Sequence, residues 1–160
     1  MRLKALLLPL LLLPGLALAE PLMKVSPPAF SEAFNRYAKK LKWPLVMASW
    51  PAAAGTHRAK VASGLTVTAE AVSPDSLRRV LLHCDVEAHC SQAMFAVALG
   101  LDKDADLNQL ADKLQDFITQ RLDEALAEDE TLELDGVVYQ LSIDRYMGRF
   151  DFIAQAAQPK

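Results

Sequence analysis

Apolar side chains at Phe30, Ala33, Phe34, Tyr37 and Leu41 fall at helical spacing and mark one buried stripe. Ser26-Pro27 in front of them is an N-cap followed by proline at the first helical position. Arg36, Lys39, Lys40 and Lys42 leave the outer face basic. Trp43-Pro44 ends the helix, because a residue before proline avoids helical dihedrals. Ahead of this helix, residues 20–25 read as a short lead suited to an edge strand. Behind it, the apolar run 45–50, closed by Pro51, is expected to be a buried strand, and residues 51–57 a loop. Residues 65–72 alternate apolar with polar, as a half-buried strand does, and Gly64 before them marks a bulge or bend.

Ser73-Pro74 repeats the cap-and-proline start, and Leu77, Val80, Leu81 and Cys84 then share one helical face. A further helix is expected from about Cys90 to Leu99, stopped by Gly100. Asp106 with Gln109 resembles a capping box. It opens the longest stripe in the chain, from Leu107, Leu110, Leu114, Phe117 and Ile118 to Leu122, Ala125 and Leu126. The acidic run Glu128, Asp129 and Glu130 breaks it. Asp135-Gly136 is a strong two-residue hairpin signal between residues 131–134 and 137–143. Met147-Gly148 offers a second turn before a last strand at 150–154. No sequence repeat or linker interrupts this order. It predicts an α+β fold: an antiparallel sheet of about five strands, two early and three in a C-terminal meander, packed against three to four helices.

The first nineteen residues change the picture. Arg2 and Lys4 precede an apolar run over 5–16, and Ala17-Leu18-Ala19 is a small-x-small cleavage tripeptide. Residues 1–19 therefore read as a secretory signal peptide cut before Glu20. The run is short for a membrane span and carries Pro9 and Pro14. Glu20 stands where a lipoprotein would need cysteine. The expectation is a single domain over 20–160, soluble in the bacterial periplasm or secreted, with no stable membrane insertion. Of the chain's 17 Lys and Arg the leader takes two and no acid, so 15 remain against 20 Asp and Glu, a net charge of −5. That balance argues against nucleic acid as a partner.

Two cysteines in an oxidising compartment suggest one disulfide, Cys84–Cys90. A continuous helix would hold their Cα atoms about 9 Å apart by rise alone, too far for a bridge. The helix must therefore break within 85–89, and the disulfide then staples the end of one helix to the start of the next. His83 and His89 beside the cysteines invite a metal reading. Adjacent His and Cys on a helix point apart, however, and oxidation removes the thiolates. The spacing is also not the Cys-x-x-Cys of a redox pair.

Asp102, Asp104, Asp106 and Asn108 alternate like a calcium loop, but Leu107 and Lys113 stand where its glycine and glutamate belong. His57 lies in a loop with no nucleophile motif near it, and no glycine-rich phosphate loop exists. No catalytic residue, metal or cofactor is expected. Of Trp43 and Trp50, at least one is expected in the core. Tyr146 and Met147 at a β-turn, flanked by Arg145 and Arg149, form the candidate protein-contact surface, together with Glu128, Asp129 and Glu130, the densest acidic cluster.

Residues 25–82 resemble the short N-terminal module of secretins and TonB-dependent receptors. The residues concerned are Glu32-Ala33-Phe34…Tyr37-Ala38 leading into Leu45-Val46, then Ser73…Leu77…Leu81. The resemblance implies helix, strand, strand, helix over that stretch. The chain as a whole reads as a non-catalytic domain that binds another envelope or secreted protein, as an inhibitor or immunity protein or as an accessory subunit of an envelope assembly. The alternative is a periplasmic carrier with a small-ligand pocket between sheet and helices.

Overall fold

The computed structural model describes residues 21–85, 89–102, 104–123 and 130–158. The expected signal peptide, Glu128 and Asp129 lie outside them, as do Ala125 and Leu126 of the long stripe.

Ser26 caps α1 (Pro27–Lys40), its hydroxyl accepting the Ala29 N–H. Three strands follow: β1 (Gly55–Ala62), β2 (Leu65–Ser73) and β3 (Ser76–Asp85). Next come α2 (Cys90–Leu101) and α3 (Leu107–Leu122), then β4 (Leu132–Leu134), β5 (Val137–Asp144) and β6 (Arg149–Ala156). The fold is α+β, with one antiparallel six-stranded sheet and three helices among the described residues. Its strand order, β1-β2-β3-β6-β5-β4, is symmetric about the β3–β6 seam. Helix-then-meander thus occurs twice, although the sequence shows no repeat.

All three helices lie on one face of the sheet. That face is built from alternate residues such as Val61, Val67, Leu82, Phe152, Tyr139 and Leu141, all buried. α2 is apolar almost all round and buried on most sides, as befits a helix held between α1, α3 and the strands of the seam. Gly100 lets α1 come close: a Cβ there would sit 2.9 Å from the Phe30 ring. Trp50 is buried and stacks on Phe30, while Trp43 leans on Phe95.

Several expectations are corrected. The segment read as a second helix is strand β3. Ser73-Pro74 starts a tight turn, with the Ser73 hydroxyl accepting the Asp75 N–H and meeting the Ser76 hydroxyl at 2.7 Å. The β2–β3 register shifts near Ala71, which puts Leu77 and Val80 on the same face at a spacing of three. A bulge therefore imitated a helical stripe. The resemblance to the secretin module fails at the same place, because its second helix is absent.

Residues 45–50 form no strand and stand outside the sheet. Val46 N–H bonds to Val61 O, and the Asn35 side chain takes both backbone groups of Met47. The loop expected to His57 gives way to strand at Gly55, and of the bulge or bend expected at Gly64 it is the bend that forms, with Gly64 at positive φ in the β1–β2 turn. Of the lead expected as an edge strand, the described residues 21–25 contribute one isolated bridge, Met23 to Leu77. The Asp135-Gly136 hairpin is present, both residues at positive φ as a type I′ turn requires.

Cys84 and Cys90 form a disulfide with Cα atoms 5.8 Å apart. It staples a strand to a helix rather than two helices, and Cys84 is fully buried. Replacing both cysteines by alanine is expected to cost about 2 kcal/mol, the chain-entropy value for so short a loop. Urea unfolding of the oxidised protein and the double variant measures it.

Candidate functional site

β5 and β6 are joined by residues 145–148, and this turn is fixed from two sides. The Asp144 carboxylate accepts the Met147 N–H at 3.0 Å, and Arg145 Nη2 donates to Leu122 O, at the end of α3, at 3.0 Å. Gly148 takes the positive φ that lets the chain turn into β6. Between these anchors Tyr146 is fully exposed and Met147 is 60% exposed. Beside them Leu122, Ile143 and Phe150 line a cleft of about 240 Å³. A second recess of about 200 Å³ continues past Phe150 to Met94 and Ile118. The turn is thus an amphipathic knob next to a largely apolar cleft.

The structure brings Arg145, Tyr146 and Arg149 together on this turn. Arg149 lies in register with Asp85 on one side and Asp144 on the other. Glu130 is exposed ahead of β4, whose Leu132 pairs with Tyr139, so it runs back toward the same end of the sheet. The cleft residues escaped the sequence reading because Leu122 and Ile143 continue stripes that are core elsewhere. Only their place at the last turn of α3 and the last residues of β5 turns them outward.

No family model, curated protein or solved structure matches the chain.

At the opposite end of the sheet an open groove of about 730 Å³ lies between residues 22–26, α1, the end of α2 and the β4–β5 turn. Met23, Val25 and Leu101 give it an apolar floor, and Asp75, Asp102, Asp104 and Asp135 edge it with carboxylates. Partial burial pushes the Asp102 carboxyl above its usual 3.8, and a hydrogen bond and charge repulsion from Asp135 add to this. The Asp104 N–H that Asp102 accepts at 3.1 Å works the other way. Behind the groove, burial and then the charges of Asp102 and Asp135 hold the Tyr139 phenol far above its usual 10.0.

A carboxyl that binds its proton more tightly when folded favours the fold in acid. That contribution is lost as pH rises through its folded-state pKa. Asp102→Asn keeps the acceptor for Asp104 and removes the charge. It is therefore expected to be more stable than the native protein at pH 7, with the advantage vanishing well below pH 3.8. Denaturant titrations at the two pH values check it.

Among the described residues no group of three His, Cys, Asp or Glu is arranged to hold a metal ion. His57 packs on Trp50 with its Nε2 2.8 Å from Ala53 O. His83 Nδ1 donates to Asp151 Oδ1 at 2.7 Å on the helix-free face of the sheet. Among the described residues no helix is long and apolar enough to cross a membrane.

Proposed function

We propose that the protein is an exported, non-catalytic binding domain of the bacterial envelope that engages another protein through the β5–β6 turn, as an inhibitor or immunity protein or as an accessory subunit. The observation that carries this reading is Tyr146, a fully exposed aromatic on a turn pinned by Asp144 and Arg145, beside the Leu122–Ile143–Phe150 cleft. A rigid amphipathic knob costs little entropy to bury, and tyrosine is among the residues that dominate binding hot spots. The disulfide supports an oxidising compartment, and the signal-like leader supports export.

The test is capture of envelope proteins on the oxidised mature chain, then binding kinetics with the captured partner. Tyr146→Ala is expected to raise the dissociation rate at least tenfold, with little change in association. Glu128→Gln with Glu130→Gln is expected to slow association and flatten its salt dependence. A captured partner indifferent to Tyr146→Ala overturns the choice of surface. The groove at the other end supports the second reading, a small-ligand carrier. Co-purification of a small molecule with no protein partner would replace the first reading with it.

A further inference from the structure

The face of the sheet away from the helices carries its own pattern. Its residues line up in rows across the strands. One row runs Arg58, Thr68, Leu81, Ile153, Gln140 from β1 to β5. The next runs Lys60, Thr66, His83, Asp151, Ser142. Leu81 and Ile153 sit side by side at the seam, half-buried only by their neighbours on the same face. The charges divide at the seam. The β1–β3 half carries Arg58, Lys60 and Arg79 against Glu70 and Asp85, and the β4–β6 half carries Asp144, Asp151 and Glu133 against Arg149.

We propose that this face docks a second copy of the same chain, sheet against sheet, about a two-fold axis running parallel to the strands above the β3–β6 seam. The strand order fixes what meets what. Such an axis lays β3 over the partner's β6, β2 over its β5 and β1 over its β4, row on row. Leu81 then rests on Ile153 and Ile153 on Leu81, which makes an apolar centre of two reciprocal contacts. Asp85 meets Arg149 and His83 meets Asp151, while at the edge Glu133 falls over Thr56, one row along the strand from Arg58. A two-fold interface requires a patch that complements itself, and the opposite charge of the two halves supplies this.

The alternative axis, at right angles to the strands, lays each strand on its own copy, β1 on β1 and β4 on β4, so that each half of the face meets a half of its own charge. Strands of eight residues at about 3.3 Å rise and six strands at about 4.8 Å spacing give a face of roughly 700 Å². Two copies would bury about 1,400 Å², within the range of specific interfaces. An apolar centre inside a polar rim is also their usual anatomy. This inference does not depend on the role of the Tyr146 turn.

Sedimentation of the oxidised mature chain over a concentration series tests it. A reversible dimer is expected at micromolar concentrations. Arg58→Glu with Lys60→Glu, both on exposed positions that the fold does not need, should weaken it at least tenfold. Leu81→Glu should abolish it. Orientation is read by mixing a Thr68→Cys chain with a Gln140→Cys chain and adding a short thiol cross-linker. The mixture should give a cross-linked dimer and neither chain alone should, since only the proposed axis sets position 68 opposite position 140. A monomer up to millimolar concentration overturns the proposal. So does a dimer that survives Arg58→Glu with Lys60→Glu, or one that Tyr146→Ala dissolves instead.

Discussion

Replacing Phe30 by alanine is expected to destabilise the protein by about 3–5 kcal/mol, the cost of emptying a fully buried aromatic site. Phe30 has no exposed surface, stacks on Trp50 with ring centroids 5.4 Å apart and touches Phe34 at 6.3 Å. It also lies against the backbone of α2 at Gly100, so its ring fills the space between the two helices. The surroundings cannot close over the void without moving one helix relative to the other. The loss would be a large share of the roughly 5–15 kcal/mol that holds a domain together. Gln115→Ala, on the exposed face of α3, should change stability by less than about 0.5 kcal/mol. Urea unfolding of both variants checks the pair, and similar losses from both would mean that α1 does not pack as described.

The second large effect is expected at Arg121. Its side chain is 5% exposed, yet it sits in the helical stripe between Ile118 and Leu122. Nε and Nη2 both donate to Leu141 O, at 3.1 and 2.9 Å. β4 pairs with β5 only as far as Tyr139, so the Leu141 carbonyl lies beyond the paired stretch and the guanidinium serves it instead. Arg121→Ala leaves that acceptor buried without its donors and is expected to cost about 1–3 kcal/mol, together with the packing of the aliphatic stem. Arg121→Lys should recover only part, since an ammonium on a flexible stem does not reproduce the two-donor fork. Unfolding free energies of the native protein and the two variants measure the difference, and an Arg121→Lys variant as stable as the native protein would show that charge alone matters here.

The sequence alone disclosed the elements whose signals are local. Ser26-Pro27 and Asp106 named two helix starts, Asp135-Gly136 named the hairpin, and the alternation over Val137, Tyr139 and Leu141 named the strand behind it. The elements it misread depend on distant partners. β1 has only Ala59 and Val61 buried, too few for an alternation to stand out, and it exists because β2 offers it a register. β3 carries a bulge that scrambles its period, and it is a strand because β2 and β6 flank it. The candidate surface divides the same way. Tyr146 was legible as an aromatic in a turn. The cleft beside it was not, since its members come from α3, β5 and β6 and meet only in the folded chain.

The β3–β6 seam also governs how the chain reaches this state. Each meander closes over turns of a few residues, whereas His83 and Asp151, bonded across the seam, are 68 residues apart in sequence. Loop-closure entropy therefore delays the seam relative to the hairpins on either side. Until it closes, β3 and β6 are edge strands with one unpaired row of N–H and C=O groups each, the kind of edge that recruits other chains into aggregates. The disulfide joins the end of β3 to the start of α2, the helix that covers the seam. Forming it early would keep that helix beside the exposed strand while the second meander is still being made, so the disulfide guards against aggregation as well as adding stability.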